Sequence, residues 1–218
     1  MNKYRTRLSI ATQLWSAVLL TLVVTAARPL LAAAHNITPP PTPTELQVSP
    51  EFKPFLEGHA VGSQNYLCRP TGNGFGFVLF TPEATLFNDE GKQLTTHFFS
   101  PNPFEANIDP TVVSNRQIRA TWQDSLDTSS VWAKVKASST DPAFVAQGAI
   151  AWLLLEVVGV TDGPRGVGAL SKTHFIQRLN TSGGLASSTG CSSLADVGKQ
   201  AFVTYTADYF FYQKDPSR

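Results

Sequence analysis

Histidines, cysteines and a thin scatter of carboxylates are the residues in this chain with the types needed for chemistry. The histidines are His35, His59, His97 and His174, and none stands at metal-ligand spacing from another. A metal site would need folding to bring His59, His97 and His174 together with a carboxylate or a fourth donor. The expectation is isolated polar residues on strands, with no metal and no cofactor. No G-x-S-x-G, H-E-x-x-H, P-loop or C-x-x-C pattern is present. The glycine-rich stretches 72–76 and 163–168 open no helix that could hold a phosphate, so both read as turns. Asp124 with Asp127, and Glu105 with Asp109, are the acid pairs that suit hydrolysis on paper. Glycoside hydrolysis needs two carboxyls at a set separation across a cleft, and loop acids facing water are the plainer reading. No catalytic residue is assigned.

Flat and polar side chains within strands give a better lead. Trp122, Trp132 and Trp152 join Tyr66, Tyr205, Tyr209 and Tyr212 in the same domain. Trp132 is out of phase with Val131, Ala133 and Val135 and shares its face with Lys134 and Lys136. That places it on the polar side of its strand, where an exposed indole can stack on a sugar or pack on a partner. Gln64 and Asn65 interrupt one apolar strand, and Gln177 and Arg178 interrupt another. Polar residues inside strands face water or a satisfied network. A cluster that also drew in His97 or His174 would be a binding site.

The elements that must position these residues are short, β-branched or aromatic, and bounded by Gly, Pro, Asn and Asp. Strands are expected near 59–68, 75–81, 84–88, 93–99, 116–123, 130–137, 149–158, 172–180 and 200–212. In the last, Tyr205, Ala207, Tyr209 and Phe211 fall on one face. The run Ala149–Val158 is apolar on both faces, as in a buried central strand. Asn88-Asp89-Glu90-Gly91 is a hairpin turn signal. No long amphipathic helix follows residue 34. The sum is an all-β domain, an antiparallel β-sandwich or partly closed barrel of about nine strands. It spans 55–218. Residues 35–54 carry Pro39, Pro40, Pro41, Pro43, Pro50 and Pro54 and read as a stiff linker that buries no core.

Residues 1–34 read as a signal peptide. Lys3, Arg5 and Arg7 precede an apolar stretch, and Ala32-Ala33-Ala34 offers the small residues of a cleavage site. Cleavage after Ala27 is the second choice. A membrane anchor is the rival reading, but Thr21, Thr25, Arg28 and Pro29 interrupt the run of about 20 apolar residues that a spanning helix needs. No other segment is suited to insertion. Removing the leader takes away Lys3, Arg5, Arg7 and Arg28 and no acid. Thirteen basic residues then face 16 acidic ones, and the net charge moves from +1 to −3. With no clustered cations, nucleic acid is excluded as a partner. Cys68 and Cys191 are the only cysteines. In an oxidising compartment such a pair bridges. Two free thiols are the alternative.

Several stretches together carry a resemblance. They are Gly62-Ser63-Gln64-Asn65-Tyr66-Leu67-Cys68, Ala84-Thr85-Leu86-Phe87 leading to His97-Phe98-Phe99, and Ala151-Trp152-Leu153-Leu154-Leu155. Thr173-His174-Phe175-Ile176-Gln177-Arg178-Leu179-Asn180-Thr181-Ser182-Gly183-Gly184 follows, then Gly190-Cys191 and Tyr205-Thr206-Ala207-Asp208-Tyr209-Phe210-Phe211-Tyr212. In this order they resemble the exported domain-of-unknown-function 3455 family of bacteria and fungi. The resemblance implies an exported β-rich domain, periplasmic or extracellular, and implies no activity. The functional expectation is a non-catalytic binding or surface-associated domain, with carbohydrate or another envelope component as the ligand class. Trp132, Gln64, Asn65, His97, His174, Gln177 and Arg178 are its candidate contacts. The alternative is an exported hydrolase assembled from His97, His174, Arg178 and a loop acid.

Overall fold

The computed structural model describes residues 36–106 and 116–217. The expected leader, His35 and Asp109 lie outside the described residues. Eight strands follow in order: β1 Phe52–Thr71, β2 Gly74–Phe87, β3 Gln93–Ala106, β4 Arg116–Asp124, β5 Ser130–Ser139, β6 Trp152–Thr161, β7 Phe175–Gly183 and β8 Gln200–Lys214. Each pairs antiparallel with the next, and β1 pairs with β8 to close a barrel. Closure gives every strand a laddered neighbour on each side, although the β2–β3 and β4–β5 ladders are short. The all-β antiparallel expectation is met, with eight strands in place of nine. The expected strands 75–81 and 84–88 are one continuous β2 that runs through Pro82. Pro82 sits where β2 is laddered only to β1, because pairing with β3 covers Ala84–Phe87 alone. A strand tolerates proline at such a one-sided position.

Side-chain alternation sorts the strands into two apolar regions. Inward residues include Ala60, Leu86, Trp122, Val131, Ala133, Leu155, Ile176, Tyr205, Ala207, Tyr209 and Phe211. The period-2 pattern of β8 therefore marks the lumen. At Gly62 an added Cβ would lie 2.1 Å from the Glu83 carbonyl oxygen, so only glycine lets β1 and β2 approach this closely.

The second region lies outside the barrel over β6, β7 and β8. Trp152, Leu154, Leu179, Phe210 and Tyr212 pack there with Leu46, Val145 and Ala149. This second cover explains why the run at 149–158 is apolar on both faces. It also corrects the linker expectation. Residues from Asn36 onward belong to the same compact unit as the barrel. A 3-10 turn at Thr44–Leu46 buries Leu46 completely. Prolines stiffen this segment without stopping one leucine from anchoring it. The expected hairpin turn is present: Gly91 has φ of 75°, and Asn88 Oδ1 accepts from the Glu90 and Lys92 amides.

Candidate functional site

Barrels of about eight strands have an interior that side chains fill or that holds one small ligand. Here one half is filled, by residues such as Leu86, Val131, Leu170, Ile176 and Phe211. The other half encloses a cavity of about 670 Å³. Its opening follows from short ladders. β2 pairs with β3 over only Ala84–Phe87, and β4 pairs with β5 over only Ala120–Gln123. Beyond these positions the strands carry half-exposed apolar side chains, Leu79, Ile118 and Val135, and these line the cavity with Leu185.

The deeper wall is polar and aromatic. His97 from β3 stacks on Trp122 from β4 with ring centroids 4.1 Å apart, and Tyr209 from β8 meets the Trp122 ring edge-on at 5.5 Å. His97 Nδ1 donates to the Thr121 carbonyl oxygen at 2.9 Å. Full burial lowers its pKa to about 3, so the ring is neutral at physiological pH. The Tyr205 and Tyr209 hydroxyls are 3.3 Å apart, and burial raises both pKa values. Arg178 from β7 donates through one terminal nitrogen to the Ala151 carbonyl oxygen at 2.8 Å. Tyr66 from β1 donates its hydroxyl to the Gly184 carbonyl oxygen at 2.6 Å, tying the strand to the loop that carries Leu185.

Three buried donors on this wall have no partner among the described residues: Gln64 Nε2, Trp122 Nε1 and Arg178 Nε. A buried polar group without a hydrogen bond costs about 1–3 kcal/mol. Three such groups line the same cavity. The rim is better satisfied. Arg119 holds Glu105 through two hydrogen bonds of 2.8 and 2.9 Å, and this lowers the Glu105 pKa to about 2. Lys134 faces Glu156 at 3.5 Å.

A disulfide joins Cys68, near the cavity end of β1, to Cys191 in the β7–β8 loop, with 5.5 Å between Cα atoms. It fixes the loop that supplies Leu185 to the mouth. Among the described residues, no helix is long and apolar enough to cross a membrane.

A family model described as Protein of unknown function (DUF3455) matches residues 48–213. The chain belongs to this family. No curated protein and no solved structure matches it. The family match covers all eight strands up to Gln213, so the lumen lies within the DUF3455 region.

The residues expected to form a site divide. Gln64, His97 and Arg178 line the lumen of this DUF3455 barrel. Asn65 is buried on the opposite face of β1, its Oδ1 accepting from the Ser63 hydroxyl. Gln177 also faces outward, donating from Nε2 to the Leu46 carbonyl oxygen at 2.6 Å and accepting from the Tyr212 hydroxyl. It is a clamp for the N-terminal segment. His174 is exposed beside Phe52, away from the cavity residues. Trp132 does lie on the outer side of β5, but it is only 8% exposed. β3 runs seven residues further than expected. Its extension brings Phe104 over the indole at 6.2 Å, and Ser100 Oγ accepts from Trp132 Nε1 at 2.8 Å. The expected exposed tryptophan is therefore corrected to a covered one, and the stacking surface for a sugar goes with it.

The histidines do not converge. His97 is in the lumen, His174 is near one barrel end, and His59 is on the outer wall between Asp208 at 2.7 Å and Asp89 at 2.8 Å. Glu57, His59 and Asp208 bring their ligand atoms within 4.8 Å of one another, the geometry a cation could use. Both His59 ring nitrogens are already engaged by carboxylates, which raises its pKa. Asp124 and Asp127 are turn caps: Asp124 Oδ1 accepts from the Leu126 and Asp127 amides, and Asp127 from those of Ser129 and Ala169. Tyr66, Trp122 and Tyr209 join the site only through the fold. The signal for Tyr209 was legible, since a phenol on the inward face of an alternating strand puts a polar tip in a lumen.

Proposed function

We propose that this DUF3455 domain is an exported, non-catalytic binding protein that holds one small molecule inside its barrel. The observation that carries the reading is the open lumen cavity with three unpartnered donors among its lining residues. Its volume falls in the range typical of small-molecule sites, roughly 300–1,000 Å³. The wall is mainly apolar toward the mouth, so an amphipathic envelope component suits it better than a free sugar. The single disulfide suits an oxidising compartment. Neither His97 nor His174 is hydrogen-bonded to a carboxylate among the described residues, which supports binding over hydrolysis.

The test uses the full chain expressed with its own leader and recovered from the exported fraction. N-phenyl-1-naphthylamine, a neutral apolar fluorophore, should brighten on binding at one site per chain. The double variant Val135→Trp, Leu185→Trp, which plugs the mouth, should weaken binding at least 10-fold. Phe202→Trp, on the outer wall, should leave it unchanged. Equal binding by all three proteins, or none by the wild type, would rule out the lumen as the site.

A further inference from the structure

The lumen contains one positive charge that no described acid balances. Arg119 and Lys134 also line the cavity, but each has its own carboxylate, Glu105 and Glu156. Among the described residues, no acid forms a salt bridge with Arg178. Its guanidinium is half-buried and held at one end by the Ala151 carbonyl oxygen, while Nε has no partner. A charge removed from water without a counter-ion is costly, and proteins pair such groups.

The neutral groups nearby add to this. Gln64 is 2% exposed and Trp122 is 1% exposed, and each has one buried N–H without an acceptor. Tyr209 lines the same cavity as these donors, its hydroxyl 3.3 Å from that of Tyr205. The ring of Tyr209 packs against Trp122. One wall of the cavity thus offers donors and a single cation. The opposite chemistry lies toward the mouth, where Leu79, Ile118, Val135 and Leu185 are apolar and partly exposed.

We infer that the lumen ligand is a monocarboxylic acid with an apolar body, its carboxylate received by Arg178, Trp122 and Gln64 and its body directed at the mouth. This rests on the lumen reading above. A carboxylate brings one negative charge to one guanidinium, and its two oxygens offer about four acceptor sites, enough for three donors. A doubly charged phosphate would leave one charge unmatched. A neutral alcohol would leave Arg178 unbalanced. His97 is neutral and does not add a second cation.

The experiment is displacement of bound N-phenyl-1-naphthylamine from the exported full-length product by sodium decanoate and by decanol, which share a chain length. Decanoate should displace the probe at a concentration at least 10-fold lower than decanol. Arg178→Gln should remove that preference by weakening decanoate alone. Trp122→Phe, which keeps the ring stack and deletes one donor, should weaken decanoate 3- to 10-fold and covers the case in which Arg178→Gln does not fold. If decanol and decanoate displace the probe equally and Trp122→Phe changes neither, the carboxylate assignment is wrong and the lumen reading stands. If the probe never enters the lumen, both are wrong.

Discussion

The barrel has two apolar regions made by alternate residues of the same strands, and they treat buried polar groups differently. Outside, over β6 to β8, the buried amide of Gln177 is closed at both ends, by the Leu46 carbonyl oxygen and the Tyr212 hydroxyl. Inside, Gln64, Trp122 and Arg178 each keep a donor without an acceptor. Both regions are well buried, and the outer one also holds an open donor, the Trp152 indole N–H, which has no acceptor among the described residues. What sets Gln64, Trp122 and Arg178 apart is that they line one cavity. A closed buried network is architecture, whereas an open one beside a cavity is waiting for a ligand that supplies the acceptors. The same contrast separates Trp132, whose indole N–H is satisfied by Ser100, from Trp122, whose indole N–H is not.

The comparison can be broken or sharpened at three places. The largest effect is expected from the disulfide that anchors the mouth loop. Its two cysteines are 123 residues apart in sequence, and closing so long a loop stabilises by about 4–5 kcal/mol as an upper figure. Cys68→Ala with Cys191→Ala should lower the midpoint of chemical denaturation and also weaken lumen binding, because Leu185 is released. A variant that loses stability but binds unchanged would show that the loop plays no part in the mouth.

Next is the outer region. Leu46→Ala removes a fully buried side chain and should cost about 2–5 kcal/mol, read from equilibrium unfolding. Lumen affinity of the folded fraction should stay within twofold of wild type. A parallel loss of affinity would mean that the two regions are coupled and the division drawn above is too sharp.

The smallest effects are two opposed pH dependences. His97 is pushed from 6.5 down to about 3 by burial. Between those values the unfolded chain binds a proton that the folded chain refuses, so its contribution is full above about 6.5 and lost as pH falls toward 3. His59 is raised above 6.5, chiefly by its hydrogen bond to Asp208. Its contribution is full below 6.5 and lost as pH rises through the folded value. Because its side chain is 39% exposed, the His59 effect is the weaker. His97→Asn should flatten the acid side of a plot of thermal midpoint against pH, and His59→Gln the neutral-to-alkaline side. The reverse assignment would overturn the placement of one ring inside the lumen and the other outside it.

The residue pattern by itself determined the strand class, the hairpin at Asn88–Gly91, the two-faced alternation of β8 and the expectation that Cys68 pairs with Cys191. These are local or compositional properties: period-2 alternation, turn chemistry and the count of cysteines. Of the candidate site, Gln64, His97 and Arg178 were legible as polar residues misplaced in apolar strands. Gln177 gave the same signal and proved to be a clamp, because sequence alternation says that Gln177 and Arg178 point to opposite sides without saying which side is the lumen. Only closure of β1 against β8 decides that, and only the fold of distant segments decides what covers the outer wall. Phe104 lies over Trp132, and the segment around Leu46 packs over β6 to β8 and bonds Gln177 across 131 positions, contacts that no local pattern encodes. The same holds for the open donors in the lumen. Whether a buried N–H has an acceptor depends on every strand that faces it, so tertiary structure alone could show that Gln64, Trp122 and Arg178 are left unanswered.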